Sequence, residues 1–373
     1  MRVAILTSSR ADYGIYRPLI KTLNDDPFFH VSIIVFGFHL SAYHGHTIDE
    51  ILEDGFNVDY KINSVLLTDD ENSLSSSIGL TTLKFADFWE DHAKDFDLVF
   101  CLGDRFEMFA AVIAGLSYGI RFAHIHGGET TLGAIDNVFR HSITMASKLH
   151  FVATEAFAVK VRSLIEERND KDSVVVSGAL SLDNLGQLKL LNNNDFFAKW
   201  QIDLSIPSVL ITIHPETVDA DKNSSHLHEI MAALTELKND YQLIITMPNA
   251  DTYGSIYRNA FKILSKEYPE KVKAIENFGT QSYFTCMKEV KFMLGNTSSG
   301  IIEAASFNKY VINIGDRQKG RLYGENVYHV QANMAQIMEA VKSVESAKAN
   351  TFKNIYYSGG AADSIIRKLK SLS

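Results

Sequence analysis

Arginines, carboxylates, a histidine and a Ser/Gly loop stand just beyond short apolar runs, where a parallel sheet collects its functional groups. Arg10 follows the run 3–7. Asp104 and Arg105 follow 98–102, and Glu129 follows 122–125 through Gly127-Gly128. Asp136 stands near the start of the stretch that carries Arg140-His141-Ser142. His214 follows 209–213 and Asn249 follows 243–247. Asn296-Thr297-Ser298-Ser299-Gly300 follows 290–294, and Arg317 follows 311–314. Any one of these residues has a plain role open to it, since loops after strands are polar and Asp, Ser and Asn cap helices. Capping needs no arginine. The set as a whole points to a site that binds an anion and moves protons.

Asp104, Glu129 and Asp136 would lie in one half of that site. Crowded carboxylates in a partly dry cleft repel, so at least one is expected to keep its proton to higher pH. That supplies a base and an acid near neutrality. Each alone is equally at home as a helix cap or in a surface ion pair. Gly295-Asn-Thr-Ser-Ser-Gly300 runs straight into Ile301-Ile302-Glu303-Ala-Ala. Backbone N–H groups there, with the Ser298 and Ser299 hydroxyls, suit a phosphate; simple capping is the alternative.

Other chemistries find less support. No Gly-Lys-Ser/Thr follows the loop, so it is not a Walker A loop, and no Gly-x-Gly-x-x-Gly is present. A nicotinamide or flavin cofactor is therefore not expected. His124 and His126 alternate in one strand-like run and are expected to share a face. Glu129 or His141 would complete a metal site with them. Strand histidines with local hydrogen bonds are the favoured reading, and no metal is expected. No Gly-x-Ser-x-Gly elbow supports a Ser–His–acid triad.

The elements that position these residues form a regular series. Apolar runs at 3–7, 31–36, 98–102, 122–125, 151–154 and 174–177, then 209–213, 243–247, 290–294 and 311–314, lack polar alternation and read as strands buried on both faces. Amphipathic stretches such as 15–23, 106–116, 228–237 and 334–344 alternate with them and read as helices. The expected fold class is α/β, with two doubly wound Rossmann-like domains facing a cleft. The expected domains are 1–180 and 181–357, with a last helix within 358–373 returning to the first.

Composition bounds the partners. The chain has 373 residues, 46% apolar and 22% charged, with a net charge of −9. That is ordinary globular usage, not disorder. A net-acidic chain without a basic block is a poor nucleic-acid binder. No apolar run approaches the ~18 residues of a membrane helix, and no signal peptide is expected. Cys101 and Cys286 are too few and too far apart for a disulfide scaffold and fit a reducing, cytoplasmic setting.

Ordered segments carry a more specific signal: Ser9-Arg-Ala-Asp-Tyr-Gly14, Leu102-Gly-Asp-Arg105, His124-Ile-His-Gly-Gly-Glu129, Ile135-Asp-Asn-Val-Phe-Arg-His-Ser142, His214-Pro-Glu-Thr217, Pro248-Asn-Ala-Asp251, Gly295-Asn-Thr-Ser-Ser-Gly300 and Ile312-Asn-Ile-Gly-Asp-Arg-Gln-Lys-Gly-Arg321. In this order the chain resembles the hydrolysing UDP-N-acetylglucosamine 2-epimerase family. The likeness is to the bacterial branch that feeds sialic-acid and related nonulosonic-acid synthesis. The resemblance implies a glycosyltransferase-B-like fold and a UDP-sugar substrate. It implies elimination of UDP to a 2-acetamidoglycal, then hydration to N-acetylmannosamine.

By the same resemblance Asp104, Glu129 and Asp136 do the proton work, with base and acid left open. His214 meets the diphosphate or assists the leaving group. Arg10 and Arg105 hold diphosphate charge; Ser298, Ser299 and Gly300 take phosphate oxygens; Glu303 accepts ribose hydroxyls. Asn249, Gln281 and Arg317 make further nucleotide contacts. No cofactor or metal is implied, and a homodimer or homotetramer is. One departure is His214-Pro-Glu, where some members have His-Pro-Val. Relatives acting on 2,4-diacetamido-2,4,6-trideoxy sugars, on the way to legionaminic acid, share the motifs, so the sugar stays open between the two. Its selectivity is expected to lie in 38–47 and 130–135. A glycosyltransferase of the same fold is the alternative from another class.

Overall fold

The computed structural model describes residues 1–42, 46–64, 66, 70–166, 171–216, 220–248, 253–348 and 350–372. The chain divides into two compact units. The first comprises Met1–Glu129, Asp136–Gln187 and Tyr356–Ser373; the second comprises Thr130–Ile135 and Leu188–Ile355.

The first unit is built on β1 (Arg2–Thr7), β2 (His30–Phe36), β3 (Tyr60–Ile62), β4 (Leu98–Leu102), β5 (Phe122–Ile125), β6 (Leu149–Val152) and β7 (Val174–Val176). All pair in parallel, in the order β3-β2-β1-β4-β5-β6-β7. Ile5 lies beside Ile33 on one side and Phe100 on the other. β4 is buried at every residue, and β1 at all but its first. Apolar side chains therefore leave both faces, and helices must cover both. Tyr16, Leu19 and Leu23 of helix Arg10–Asn24 share a core with Ile5, Val35 and Phe100. On the other face Phe85 and Trp89 of helix Glu71–His92 join Leu6, Phe36, Val99 and Phe122.

The second unit holds β8 (Ser208–Thr212), β9 (Gln242–Thr246), β10 (Val272–Ile275), β11 (Phe292–Gly295), β12 (Val311–Ile314) and β13 (Val327–Val330). These too are parallel, in the order β10-β9-β8-β11-β12-β13. In each sheet the strand order turns outward in both directions from one adjacent pair. That pair is β1 and β4 in the first sheet, and β8 and β11 in the second. The crevice beyond the carboxyl ends of such a pair is where doubly wound sheets bind ligands.

The ten apolar runs read as strands all carry strands. Among the described residues three strands have no such run: Tyr60–Ile62, Val272–Ile275 and Val327–Val330. Each is an edge of its sheet. An edge strand is only partly covered, so it keeps polar residues such as Lys61, Lys273 and His329 and loses the continuous apolar pattern.

The unit boundaries also differ from the expected ones. The chain stays in the first unit past residue 180 because Leu180 is buried in its core. Asp183 then caps the last helix, Ala361–Lys370, accepting from Ala361 N at 2.9 Å and Ala362 N at 2.6 Å. Tyr356 is likewise a first-unit residue, fully buried, its carbonyl accepting from Ala179 N at 2.9 Å. Thr130–Ile135 belongs to the second unit, where Leu132 N donates to Lys319 O at 2.9 Å. Among the described residues no helix is long and apolar enough to cross a membrane.

Candidate active site

At the switch point of the first sheet, β1 runs into a tight polar turn. The Asp12 carboxylate accepts from Ser8 N at 2.9 Å, Ser8 Oγ at 2.6 Å and Ser9 N at 3.2 Å. This fixes the start of helix Arg10–Asn24, whose first residue is Arg10. Burial raises the Asp12 pKa, and the Arg105 charge acts against that rise. Arg105, beyond β4, donates to Glu107 Oε1 through Nη2 at 2.9 Å and lies 5.5 Å from the Phe38 ring centre. Glu107 is fully buried, which raises its pKa, while Arg105 opposes the rise. The Arg105 guanidinium is thus fixed by a buried carboxylate beside the sheet edge.

Asp104 and the Glu129 main chain are joined through one side chain, Arg140. Arg140 is 2% exposed; its Nη2 pairs with the Asp104 carboxylate and its Nη1 donates to Glu129 O at 2.9 Å. Asp136 opens helix Asp136–Ala146 one turn before Arg140, on the same helix face. Glu129 is itself buried and held by His126, whose Nδ1 lies 2.7 Å from Glu129 Oε1.

His126 does not share a strand face with His124. β5 ends at Ile125, and His126 adopts a left-handed backbone with φ 65°. Gly128 is also left-handed, φ 77°, and a side chain there would meet Phe157 O. These turns aim Glu129 back toward Arg140. His124 lies inside the sheet, with Nε2 2.8 Å from Gly103 O and Nδ1 3.1 Å from Thr144 Oγ1. Burial pushes its pKa down to about 4, so the ring is neutral near pH 7. Only His126 has a partner local in sequence, and it lies past the strand; the partners of His124 are 20 and 21 residues away.

In the second unit, His214 follows β8 and Asn296 follows β11. Asn296 Oδ1 accepts from His214 N at 2.7 Å, and Asn296 Nδ2 donates to His214 O at 2.9 Å. The helix after β11, Ser298–Ile302, is capped by Thr297 rather than by either serine. Ser299 lies near Tyr283, whose pKa burial lifts to about 12. Gly300 has a packing role, because a Cβ there would press on Val311 Cγ1 at 2.9 Å. Glu303 is buried at the end of this short helix. Arg317 Nη1 donates to Pro215 O at 3.1 Å. Gln281 spends its amide N–H on Lys189 O at 2.8 Å, which ties helix Gly279–Glu289 to the start of the unit. Asn249 lies outside the described residues, as do residues 43–45 of the stretch 38–47.

The structure therefore brings Asp104 and the Glu129 carbonyl to Arg140, one helical turn from Asp136, and joins the His214 main chain to Asn296, which precedes the Ser298–Ser299 turn. The sequence draws notice to Arg140, His126 and Asn296 without revealing these tasks. The four-residue spacing of Asp136 and Arg140 was the one available signal. The partners of the other two depend on turns.

Two doubly wound parallel sheets, each with its polar groups at the switch point, define a two-domain α/β protein of the glycosyltransferase-B-like class. The chain belongs to the UDP-N-acetylglucosamine 2-epimerase family, whose profile matches residues 21–370. It is 35% identical to the GDP/UDP-N,N'-diacetylbacillosamine 2-epimerase (hydrolyzing) of Campylobacter jejuni, over 92% of this chain and 88% of that one. It is 32% identical to the polysialic acid biosynthesis protein P7 of Escherichia coli, over 99% of this chain and 93% of that one. The structure of UDP-GlcNAc 2-epimerase from Neisseria meningitidis bound to UDP-GlcNAc has the same fold, with TM-score 0.80 at 20% identity and all of both chains covered.

Proposed function

We propose that this chain is a hydrolysing 2-epimerase of a UDP-linked 2-acetamido sugar. The observation that carries the reading is Arg140, which joins Asp104 to Glu129 one helical turn from Asp136. Family membership supports a UDP-sugar as the substrate class.

The C2 proton of such a sugar is barely acidic. Its removal must run alongside loss of the good leaving group UDP from C1. The C2–H and C1–O bonds break, giving a 2-acetamidoglycal and UDP. Water then adds at C1, and a proton returns to C2 on the opposite face. Substrate and one water become the free 2-epimeric sugar and UDP. Asp104, Glu129 and Asp136 take and return the protons. His214, Arg10, Arg105, Ser298, Ser299 and Arg317 hold the diphosphate or nucleotide, whose charge rises as the bond breaks. Glu303 accepts the ribose hydroxyls. The reading needs no metal or cofactor, and it takes the working form to be a cytoplasmic homodimer or homotetramer.

The first substrate is UDP-N-acetylglucosamine, giving N-acetylmannosamine for sialic or related nonulosonic acids. A second is the UDP-linked 2,4-diacetamido-2,4,6-trideoxy sugar of the legionaminic-acid route. Likeness to the diacetylbacillosamine epimerase of Campylobacter jejuni supports it, and chemistry at C1 and C2 is the same for both.

Proton NMR in heavy water tests the reading. Free N-acetylmannosamine with deuterium at C2, alongside UDP, is the expected result. Turnover of the diacetamido sugar alone moves the substrate and keeps the mechanism. Release of UDP with an unexchanged, uninverted sugar would replace the reading with a hydrolase or a glycosyltransferase lacking its acceptor.

A further inference from the structure

The residue that departs from His-Pro-Val, Glu216, has a defined task in the second unit. It is buried, and its main chain is clamped by one side chain. Glu216 N donates to Asn223 Oδ1 at 3.0 Å, and Asn223 Nδ2 donates to Glu216 O at 2.8 Å. Its carboxylate does not face solvent. Oε1 accepts the Asp316 N–H at 2.8 Å, across 100 residues of sequence.

That bond is made to the turn that follows β12. Gly315 there is left-handed, φ 73°, and any side chain on it would overlap Glu216 Oε1. The turn thus requires glycine twice, once for its backbone and once for the carboxylate that reaches in. The next residue after Asp316 is Arg317, whose Nη1 returns to the carbonyl of Pro215, the neighbour of Glu216. Gln318 Nε2 then donates to Asn296 O at 2.8 Å. The turn after β12 is therefore tied to the His214 segment at Glu216 and at Pro215, and to Asn296 beside them. The ties from Glu216 and from Arg317 each carry a charged group, the stronger kind of hydrogen bond.

We infer that Glu216 is a positioning residue for Arg317. Its carboxylate holds the Asp316 amide so that the Arg317 guanidinium stays against the end of β8, where it grips the nucleotide. The inference rests on the proposed function, which assigns Arg317 to the UDP moiety. Glu216 itself touches no reacting atom. Its loss should weaken nucleotide binding and leave proton transfer at C2 largely alone.

Glu216→Val removes the acceptor and leaves the Asp316 N–H without it. UDP affinity, read by calorimetry, should fall about tenfold, the scale of one charge-assisted hydrogen bond. KM should rise by a similar factor while kcat stays within about threefold, the pattern of lost ground-state binding. Glu216→Gln keeps an oxygen at the same place and should recover most of the affinity, which a general destabilisation would not permit. Arg317→Ala added to Glu216→Val should cost much less than the product of the two single losses, since both remove the same grip. If the valine variant does not fold, Glu216→Asp, whose shorter side chain withdraws the oxygen, takes its place in the same cycle. UDP binding within about twofold of wild type in the variant, or full additivity with Arg317→Ala, would overturn the inference. Failure of the wild-type chain to bind UDP would instead overturn the functional reading beneath it.

Discussion

The Asn296 carboxamide closes on the main chain of His214, accepting its N–H at 2.7 Å and donating to its carbonyl at 2.9 Å. The two residues stand beyond the ends of adjacent parallel strands, β8 and β11, past the last ladder pair. Backbone groups in that position must find partners or carry a desolvation cost. One carboxamide satisfies both. It also fixes where the His214 side chain starts.

Asn296→Ala leaves that N–H and that carbonyl buried without the clasp. The expected loss is about 2–4 kcal/mol, the sum of two unmade buried hydrogen bonds. A lowered urea midpoint for the second unit would report it. A midpoint equal to wild type would show that the clasp adds nothing to stability.

Asp104→Asn, Glu129→Gln and Asp136→Asn should each cut turnover by at least ~100-fold, the scale of lost acid–base catalysis. UDP affinity should change far less, because these side chains are assigned to protons and not to the diphosphate. Initial rates of UDP release, paired with UDP binding, separate the two effects. Wild-type rates in all three variants would remove the cluster from the chemistry.

The legible parts of this molecule are those whose signal is local. Interior strands announce themselves because both faces are covered, so Leu98–Leu102 is apolar at every position. The edge strand Val272–Ile275 is buried only at Val272 and reads as loop. The strand ends were legible too, because parallel topology gathers whatever follows each run. What was hidden depends on partners distant in sequence. Arg140 looks like an ordinary helix charge until Asp104, 36 residues away, is beside it. Glu216 looks like a neutral motif change until Asp316 N, 100 residues away, points at it. Thr130–Ile135 sits in sequence between parts of the first unit and packs in the second. No periodicity marks such a crossing.

Both cysteines should be inert in the folded protein. Cys101 lies inside β4 with Sγ 3.6 Å from Ala123 O, and Cys286 lies inside helix Gly279–Glu289. Burial pushes the Cys101 thiol up to about 12 and raises that of Cys286 as well. The thiolate is the reactive form, so little of it exists near neutrality. An aromatic disulfide reagent should titrate neither thiol in buffer and both in denaturant. Fast reaction of either in buffer would contradict the burial.

Acid should weaken the first unit through two neutral histidines. Burial holds His124 down to about 4, and His39, between the hydroxyls of Thr7 and Thr47, down to about 3. Unfolded, each would take its proton near the ordinary value of 6.5. Between that value and the lowered one, the unfolded chain binds more protons than the folded one. Stability is therefore complete above the ordinary histidine range and falls as pH drops through the window. The slope is up to about 1.4 kcal/mol per pH unit for each ring. Asp12 and Glu107 act in the opposite sense, because burial raises their pKa values and acid then favours the folded state. Comparing wild type with His124→Gln cancels those carboxylates. From about pH 7.5 to about pH 5, wild type should lose roughly 2 kcal/mol relative to the variant, read from denaturant midpoints. A difference that stays flat over that range would return His124 to an ordinary pKa and remove its burial as the cause.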